Sequence, residues 1–159
     1  LSRPGVFGPE LQTKAEAHMR RLMDYFDYRG VLTVEYFLVG DELIANEMAP
    51  RVHNSGHWTI DASSCSQFEN HIRAVAGLPL GETDLLYPSL MFNWVGQMPD
   101  HTQALQIPGL HWHDYGKAPK PNRKIGHATL TADTPTQLTE RANNLAHLAA
   151  GEFPTLLKA

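Results

Sequence analysis

The 159-residue sequence contains a single cysteine, Cys65. No intrachain disulfide can form, which excludes the small disulfide-stapled class and suits a reducing, cytosolic setting. No apolar run approaches the roughly 20 residues of a helical membrane span, and no signal-peptide pattern opens the chain. A basic excess is also missing. Thirteen Lys+Arg against 17 Asp+Glu leave a net charge of -4, which argues against a protein that holds nucleic acid by general electrostatics. Neither a Walker-type loop nor a dinucleotide fingerprint is present, because no glycine-rich run has the required spacing. Internal repeats and low-complexity stretches are absent too. What is present is globular: 42% hydrophobic residues and 12 glycines, a composition that argues against disorder. A chain this long buries roughly 70% of its unfolded surface, enough for one compact core. Nine histidines, scattered along the chain, are the compositional oddity.

Apolar residues at helical spacing (Leu11, Ala15, Met19, Leu22, Met23, Phe26) predict a helix over about 9–28, with Pro9 in its first turn and Gly30 as its stop. Residues 31–39, VLTVEYFLV, read as a strand. The Gly40-Asp41 turn and a return over 42–48 predict a hairpin. Residues 49–58 read as a polar loop. Ser66-Gln67-Phe68-Glu69 is a capping-box pattern opening a short helix over about 66–76, with Gly77 beyond its end. Further strands are predicted at 89–95, 110–115 and 124–131. A proline-punctuated linker around a short helix fills 97–109. Thr134-Pro135 opens a last helix with Leu138, Ala142, Leu145 and Ala149 on its buried face, ended by Gly151 and Pro154. Irregular alternation with hairpin connections predicts an α+β fold with antiparallel sheet.

Glu35 lies in the middle of an apolar strand and Glu47 in the returning one. Register decides whether they meet. A two-residue turn pairs Val39 with Glu42 and sets Glu35 opposite Asn46; a three-residue loop pairs Val39 with Leu43 and sets Glu35 opposite Glu47. Opposite residues have Cβ atoms about 5 Å apart, and two carboxylates that close repel unless a cation intervenes. An all-oxygen site of this kind suits Mg²⁺. The loop that follows offers Arg51, a planar fork for carboxylate or phosphate, with His53, Asn54, Ser55, Gly56 and His57. An ordinary polar turn at Asn54-Ser55-Gly56 is the competing reading.

Four of the 13 basic residues (Lys117, Lys120, Arg123, Lys124) fall within 117–124 with no acid among them. That concentration suits a phosphate pocket, against the commoner case of a solvated basic loop. His111 and His113 share one strand face and, with His53 and His57, offer a metal-site reading whose third ligand local spacing does not supply. Cys65, just before a capped helix, reads as a small buried residue rather than a thiol nucleophile.

The segments VEYFLVGDELIANEMAPRVHNSGHWTID, SQFENHIRAVAGLPLG and NRKIGHATL closely resemble the carboxyl-terminal half of the N5-carboxyaminoimidazole ribonucleotide synthetase family, within the ATP-grasp superfamily. NEMAPRVHNSGHW is the most specific of them, and the resemblance covers essentially the whole chain. It implies ATP-dependent carboxylation of 5-aminoimidazole ribonucleotide with bicarbonate, through carboxyphosphate, in purine biosynthesis. By the same resemblance Glu35 and Glu47 are the magnesium carboxylates, and Asn46 and Glu47 meet the ATP phosphates. Glu47 and Arg51 are the catalytic residues. Arg51, His53, Asn54 and Ser55 face bicarbonate and ribonucleotide, and Lys117, Arg123 and Lys124 clamp the ribonucleotide phosphate. The family's Pro-Gly-Arg-Lys stands here as Pro121-Asn122-Arg123-Lys124; Asn tolerates the left-handed geometry that such a turn needs.

The family's amino-terminal domain and first ATP-grasp lobe have no counterpart in this sequence. The expectation is therefore a fragment without turnover of its own: residues 1–98 as the second ATP-grasp lobe and 99–159 as a small β-rich domain with a terminal helix. The implied partners are ATP, Mg²⁺, bicarbonate, 5-aminoimidazole ribonucleotide, the amino-terminal half of the parent enzyme and a second copy in a homodimer. Nucleic acid and membrane are not among them, and the expected compartment is cytoplasmic. The alternatives are a non-catalytic module binding phosphorylated metabolites or a partner protein, and a histidine-rich zinc hydrolase on His111, His113, His53 and His57.

Overall fold

The computed structural model describes residues 8–148. The chain divides into two compact units. The first takes the chain up to His57 and returns for Cys65–Glu82; the second takes Trp58–Ser64 and the chain from Thr83 on. In chain order the elements are α1 (Pro9–Phe26), β1 (Thr33–Val39), β2 (Glu42–Ala49), α2 (Thr59–Ala62) and α3 (Gln67–Val75). Then come β3 (Ser89–Val95), α4 (His101–Ala104), β4 (Leu110–Asp114), β5 (Lys124–Thr131) and α5 (Pro135–Leu148). The architecture is α+β and both sheets are antiparallel.

The first unit is a hairpin flanked by helices. Helix α1 ends earlier than its apolar periodicity predicts. Asp27 adopts a left-handed conformation (φ 45°). Its amide bonds the Asp24 carbonyl at 3.2 Å, and the Tyr28 amide bonds the Met23 carbonyl at 2.9 Å. The carbonyls that α1 leaves open are thus closed at Asp27, not at Gly30. Gly30 instead permits a close approach. It sits at φ 134°, and a Cβ there would stand 2.9 Å from the His71 ring of α3. The same ring accepts the Val31 amide at 3.0 Å, so the chain passes closely over α3 as it enters β1. Lys14 of α1 reaches the far end of the hairpin, at the Asp41 carbonyl (2.9 Å) and Glu42 (3.1 Å). Ser66 caps α3 by accepting the Glu69 amide at 3.2 Å, the pattern expected of the capping box. Of the described residues in this unit, only Ala49 and Cys65 are buried apolar ones.

The second unit holds a true core. Its sheet has the order β3-β5-β4. β5 is central, and every residue from Ile125 to Thr131 is buried. Alternation gives this sheet two different faces. Leu130 and Ala128 of β5 lie on one face with Leu110 and Trp112 of β4 and Leu90, Phe92 and Trp94 of β3. Ala142, Leu145 and Leu138 of α5 pack into the same cluster. Full burial of a side chain such as Leu130 or Leu145 stabilises by about 1.5–3 kcal/mol. His127, Thr129 and Thr131 of β5 lie on the other face with His111 and His113 of β4. The Trp58–Ser64 segment is stitched to residues 84–86 by three bonds: Leu86 amide to Ala62 carbonyl (2.9 Å), Ser64 amide to Asp84 carbonyl (3.0 Å), and Asp84 amide to Ser64 hydroxyl (3.0 Å). Thr134 caps α5 through the Gln137 amide at 3.2 Å. Ala149, Gly151 and Pro154, expected to complete and end that helix, lie outside the described residues.

One expected boundary moves. The sequence places the end of the first domain at residue 98, yet β3 pairs along its whole length with β5. A strand bonded into a sheet belongs with that sheet, so residues 83–98 join the second unit.

Candidate functional site

The hairpin resolves the register question in a way that neither simple turn offers. The turn has two residues: Val39 pairs with Glu42 and Tyr36 with Ala45. The ladder then shifts between Glu35 and Tyr36, and Glu35 pairs with Glu47. Asn46 is the extra residue, a β-bulge on β2. Without it Glu35 would face Asn46, and Glu47 would fall on the opposite face. The bulge therefore brings the two carboxylates to one face of the hairpin. Both are exposed rather than sunk among the apolar residues of their strands. Phe37, Val39 and Ile44 share their face by alternation and are themselves 57%, 58% and 50% exposed. Adjacent, exposed, all-oxygen donors fit Mg²⁺, which keeps several waters and shares its remaining shell with phosphates.

The loop after β2 is not a free polar turn. Residues Asn54–Gly56 form one turn of 3₁₀ helix, with His53 accepting the Ser55 amide. His53 Nδ1 lies 2.9 Å from the Ser55 hydroxyl, and its Nε2 is 3.7 Å from Glu35. Gln67, at the start of α3, holds this loop. Its side-chain oxygen Oε1 accepts the His53 amide at 3.0 Å, and its side-chain Nε2 donates to the His53 carbonyl at 2.7 Å. The same amide lies 2.8 Å from His57 Nδ1. Gly56 leaves room for the clamp, since a Cβ there would stand 2.7 Å from the Gln67 carbonyl oxygen. Sequence pattern shows Gln67 only as a member of a capping box. Its side chain faces a segment 14 residues away, which local periodicity does not reveal. Arg51 is exposed and donates to the adjacent Val52 carbonyl at 2.9 Å.

In the second unit Lys117, Lys120 and Arg123 are exposed on the connection from β4 to β5, and Lys124 is exposed at the start of β5. Asn122 sits at φ 60°, the left-handed conformation expected of it. The turn is closed by the Arg123 amide on the Lys120 carbonyl at 3.1 Å, and the Gly96 amide bonds the Arg123 carbonyl at 2.9 Å. Lys117 Nζ stands 5.1 Å above the Tyr115 ring, a cation–π arrangement.

The expected grouping of His111 and His113 with His53 and His57 takes another form. His53 and His57 are engaged by Ser55 and Gln67 within the first unit. His111 and His113 both turn to Asp61 of α2, at 3.6 and 2.9 Å. Cys65 is buried, in line with its reading as a small apolar residue.

Comparison with known proteins gives the class first. Residues 3–68 match the ATP-grasp domain family, and residues 89–141 match the phosphoribosylaminoimidazole carboxylase C-terminal domain family. As a whole the chain is similar to N5-carboxyaminoimidazole ribonucleotide synthase of Pseudomonas aeruginosa, 54% identical over 152 residues, which are 96% of this chain and 40% of that protein. It is similar in structure to the N5-carboxyaminoimidazole ribonucleotide synthetase of Thermus thermophilus, with a TM-score of 0.85 at 52% identity over 95% of this chain and 41% of that one. The Aspergillus clavatus synthase in complex with ADP and 5-aminoimidazole ribonucleotide gives a TM-score of 0.76 at 36% identity, over 91% of this chain and 42% of that one. The chain spans about two fifths of the length of the relatives it matches.

Proposed function

We propose that this chain supplies the carboxyl-terminal part of an enzyme that carboxylates 5-aminoimidazole ribonucleotide. ATP phosphorylates bicarbonate to carboxyphosphate with release of ADP. The exocyclic amine of the ribonucleotide then takes the carboxyl group and phosphate leaves. The observation that carries the reading is the bulge at Asn46, a local departure from a regular hairpin whose consequence is a shared face for Glu35 and Glu47. On this reading the two carboxylates hold Mg²⁺, and Asn46 and Glu47 meet the nucleotide phosphates. When bound, the ion neutralises charge developing on the transferring phosphoryl group. Arg51, His53, Asn54 and Ser55 orient bicarbonate and the aminoimidazole, with Gln67 holding their loop in place. Lys117, Arg123 and Lys124 supply the charge for the ribonucleotide phosphate.

The apolar residues exposed around the acids support the view that a further portion of an enzyme covers this face. The chain alone is expected to release no ADP. The reaction needs no membrane, and no helix among the described residues is long and apolar enough to cross one. With its single thiol buried, the chain suits the reducing cytoplasm.

The test joins this chain to the amino-terminal portion of the Pseudomonas aeruginosa relative and measures ADP release. Release should require both bicarbonate and 5-aminoimidazole ribonucleotide. Glu47→Gln should fold normally and lower turnover by about 10²–10³-fold, the scale of losing one electrostatic contact to the transition state. A folded chimera that releases ADP equally well with Glu47→Gln would remove the acid pair from the reaction.

A further inference from the structure

The polar face of the second unit's sheet carries a cluster that the proposed carboxylation does not use. Asp61, His113 and His127 each offer one ligand atom, and the three atoms lie within 4.8 Å of one another. Asp61 comes from α2, His113 from β4 and His127 from β5. The carboxylate of Asp61 is only 8% exposed, a costly place for a negative charge unless cations or donors surround it. One of its oxygens is 2.9 Å from His113 Nε2, and the other is 3.6 Å from His111 Nδ1.

The rings are also held in position by other partners. His127 is 1% exposed and its Nδ1 lies 2.8 Å from the Tyr115 hydroxyl. With Nδ1 so engaged, His127 would ligate through Nε2. The His113 and His127 rings are stacked, with centroids 4.2 Å apart and planes 9° apart. His111 Nε2 lies 3.3 Å from the Thr131 hydroxyl while its Nδ1 faces Asp61. A ligating histidine characteristically bonds a neighbour through its other ring nitrogen, which fixes tautomer and orientation. His111 and His127 both have such a neighbour.

We infer that Asp61, His113 and His127, with His111 beside them, bind a divalent transition-metal cation of the zinc type. One carboxylate oxygen with two or three imidazole nitrogens is a donor set for zinc, cobalt or nickel; magnesium and calcium take oxygen donors instead. Ligand atoms about 2.1 Å from a common tetrahedral ion stand roughly 3.4 Å apart. The Asp61–His113 pair is already inside that span. The in-plane lone pairs of two parallel rings do not converge on one ion, so ligation requires His113 to turn out of its stack on His127, and its partial exposure leaves it the rotamer freedom to do so. The cation would cross-link α2 to two strands of the sheet. Its expected consequence is therefore stability of the second unit. The inference does not rest on the carboxylation reading, because no residue of that site takes part.

The test is a Zn²⁺ titration of the whole chain against a chromophoric chelator, followed by thermal unfolding with and without Zn²⁺. One equivalent should bind at this site, and saturating Zn²⁺ should raise Tm by binding the folded state. Asp61→Asn and His113→Gln, tested separately, should each weaken that equivalent at least tenfold and abolish the Tm rise. His18→Ala, in the first unit, should change neither. Cobalt(II) in place of zinc should give intense tetrahedral d–d bands in the unaltered chain that are lost in His113→Gln. Two variants protect the test against one failing to fold. Absence of a bound equivalent, or equal binding by either folded variant, would overturn the inference, as would loss of the site in His18→Ala.

Discussion

Tyr36 shows how one side chain reports its surroundings. It lies on the hairpin face that meets α1, with its hydroxyl 3.9 Å from Met19 Sδ and its ring 6.0 Å from that of His18. Burial pushes its phenol above the usual 10.0, because the charged form is poorly solvated there. The sign of the consequence follows from proton counting. Above about pH 10 the unfolded chain releases this proton more readily than the folded one, so the folded state binds more protons and stability falls as pH rises. Urea unfolding at about pH 9 and about pH 11 should show a larger loss for the unaltered chain than for Tyr36→Phe. Identical losses would mean that the hydroxyl is solvated in the folded state. Sequence pattern marks Tyr36 as a strand residue; only the placement of α1 over that face makes it a partly buried phenol.

At the scale of elements, the central strand β5 depends on being narrow. Gly126 and Ala128 lie between Trp94 of β3 and Trp112 of β4, whose ring centroids are 5.2 Å apart. A Cβ on Gly126 would collide with the His113 carbonyl and stand 2.8 Å from Met98 and 3.2 Å from Trp94. The first of these obstacles is backbone and cannot rotate aside. Gly126→Ala should therefore push β4 from β5 and cost about 1–3 kcal/mol, the usual scale of overpacking, measured by urea unfolding of the second unit. A change below about 0.5 kcal/mol, the size of an ordinary surface substitution, would show that β4 shifts without loss. The strand itself is legible in the sequence, and its observed bounds are those expected. Its need for glycine is not, because the collision involves residues 13 and 28 positions away. The hairpin shows the same division. Its turn and strands follow from composition, while the bulge at Asn46 changes which face Glu47 occupies.

For the whole molecule, the two units differ in what holds them. The second has a continuous apolar cluster around Leu130, Ile125 and Leu145. In the first, the described residues include only Ala49 and Cys65 as buried apolar ones, while Phe37, Val39, Ile44 and Met48 are each 48% or more exposed. Stability that comes from burial should be distributed accordingly. Amide hydrogen exchange of the whole chain should show β5 protected about tenfold or more above β1 and β2. Equal protection across both sheets would mean that the hairpin is stabilised by something other than its own packing. Addition of the amino-terminal portion proposed above should raise hairpin protection selectively.

The amino-acid sequence by itself determined the local elements: the capping box at Ser66, the left-handed Asn122, the hairpin turn at Gly40-Asp41 and the strands of the second sheet. These depend on bonds between residues a few positions apart, whose geometry residue type alone selects. It also carried the family resemblance, because NEMAPRVHNSGHW keeps its identity whatever the fold does. Tertiary structure decided the pairing of Glu35 with Glu47, the Gln67 clamp on the histidine loop, and the meeting of Asp61 with His111, His113 and His127. Each joins side chains through register or packing across gaps of 10 to 66 positions. Over such distances the chain has many ways to close, and the choice among them is made by which apolar face finds a core and which strand accepts one extra residue.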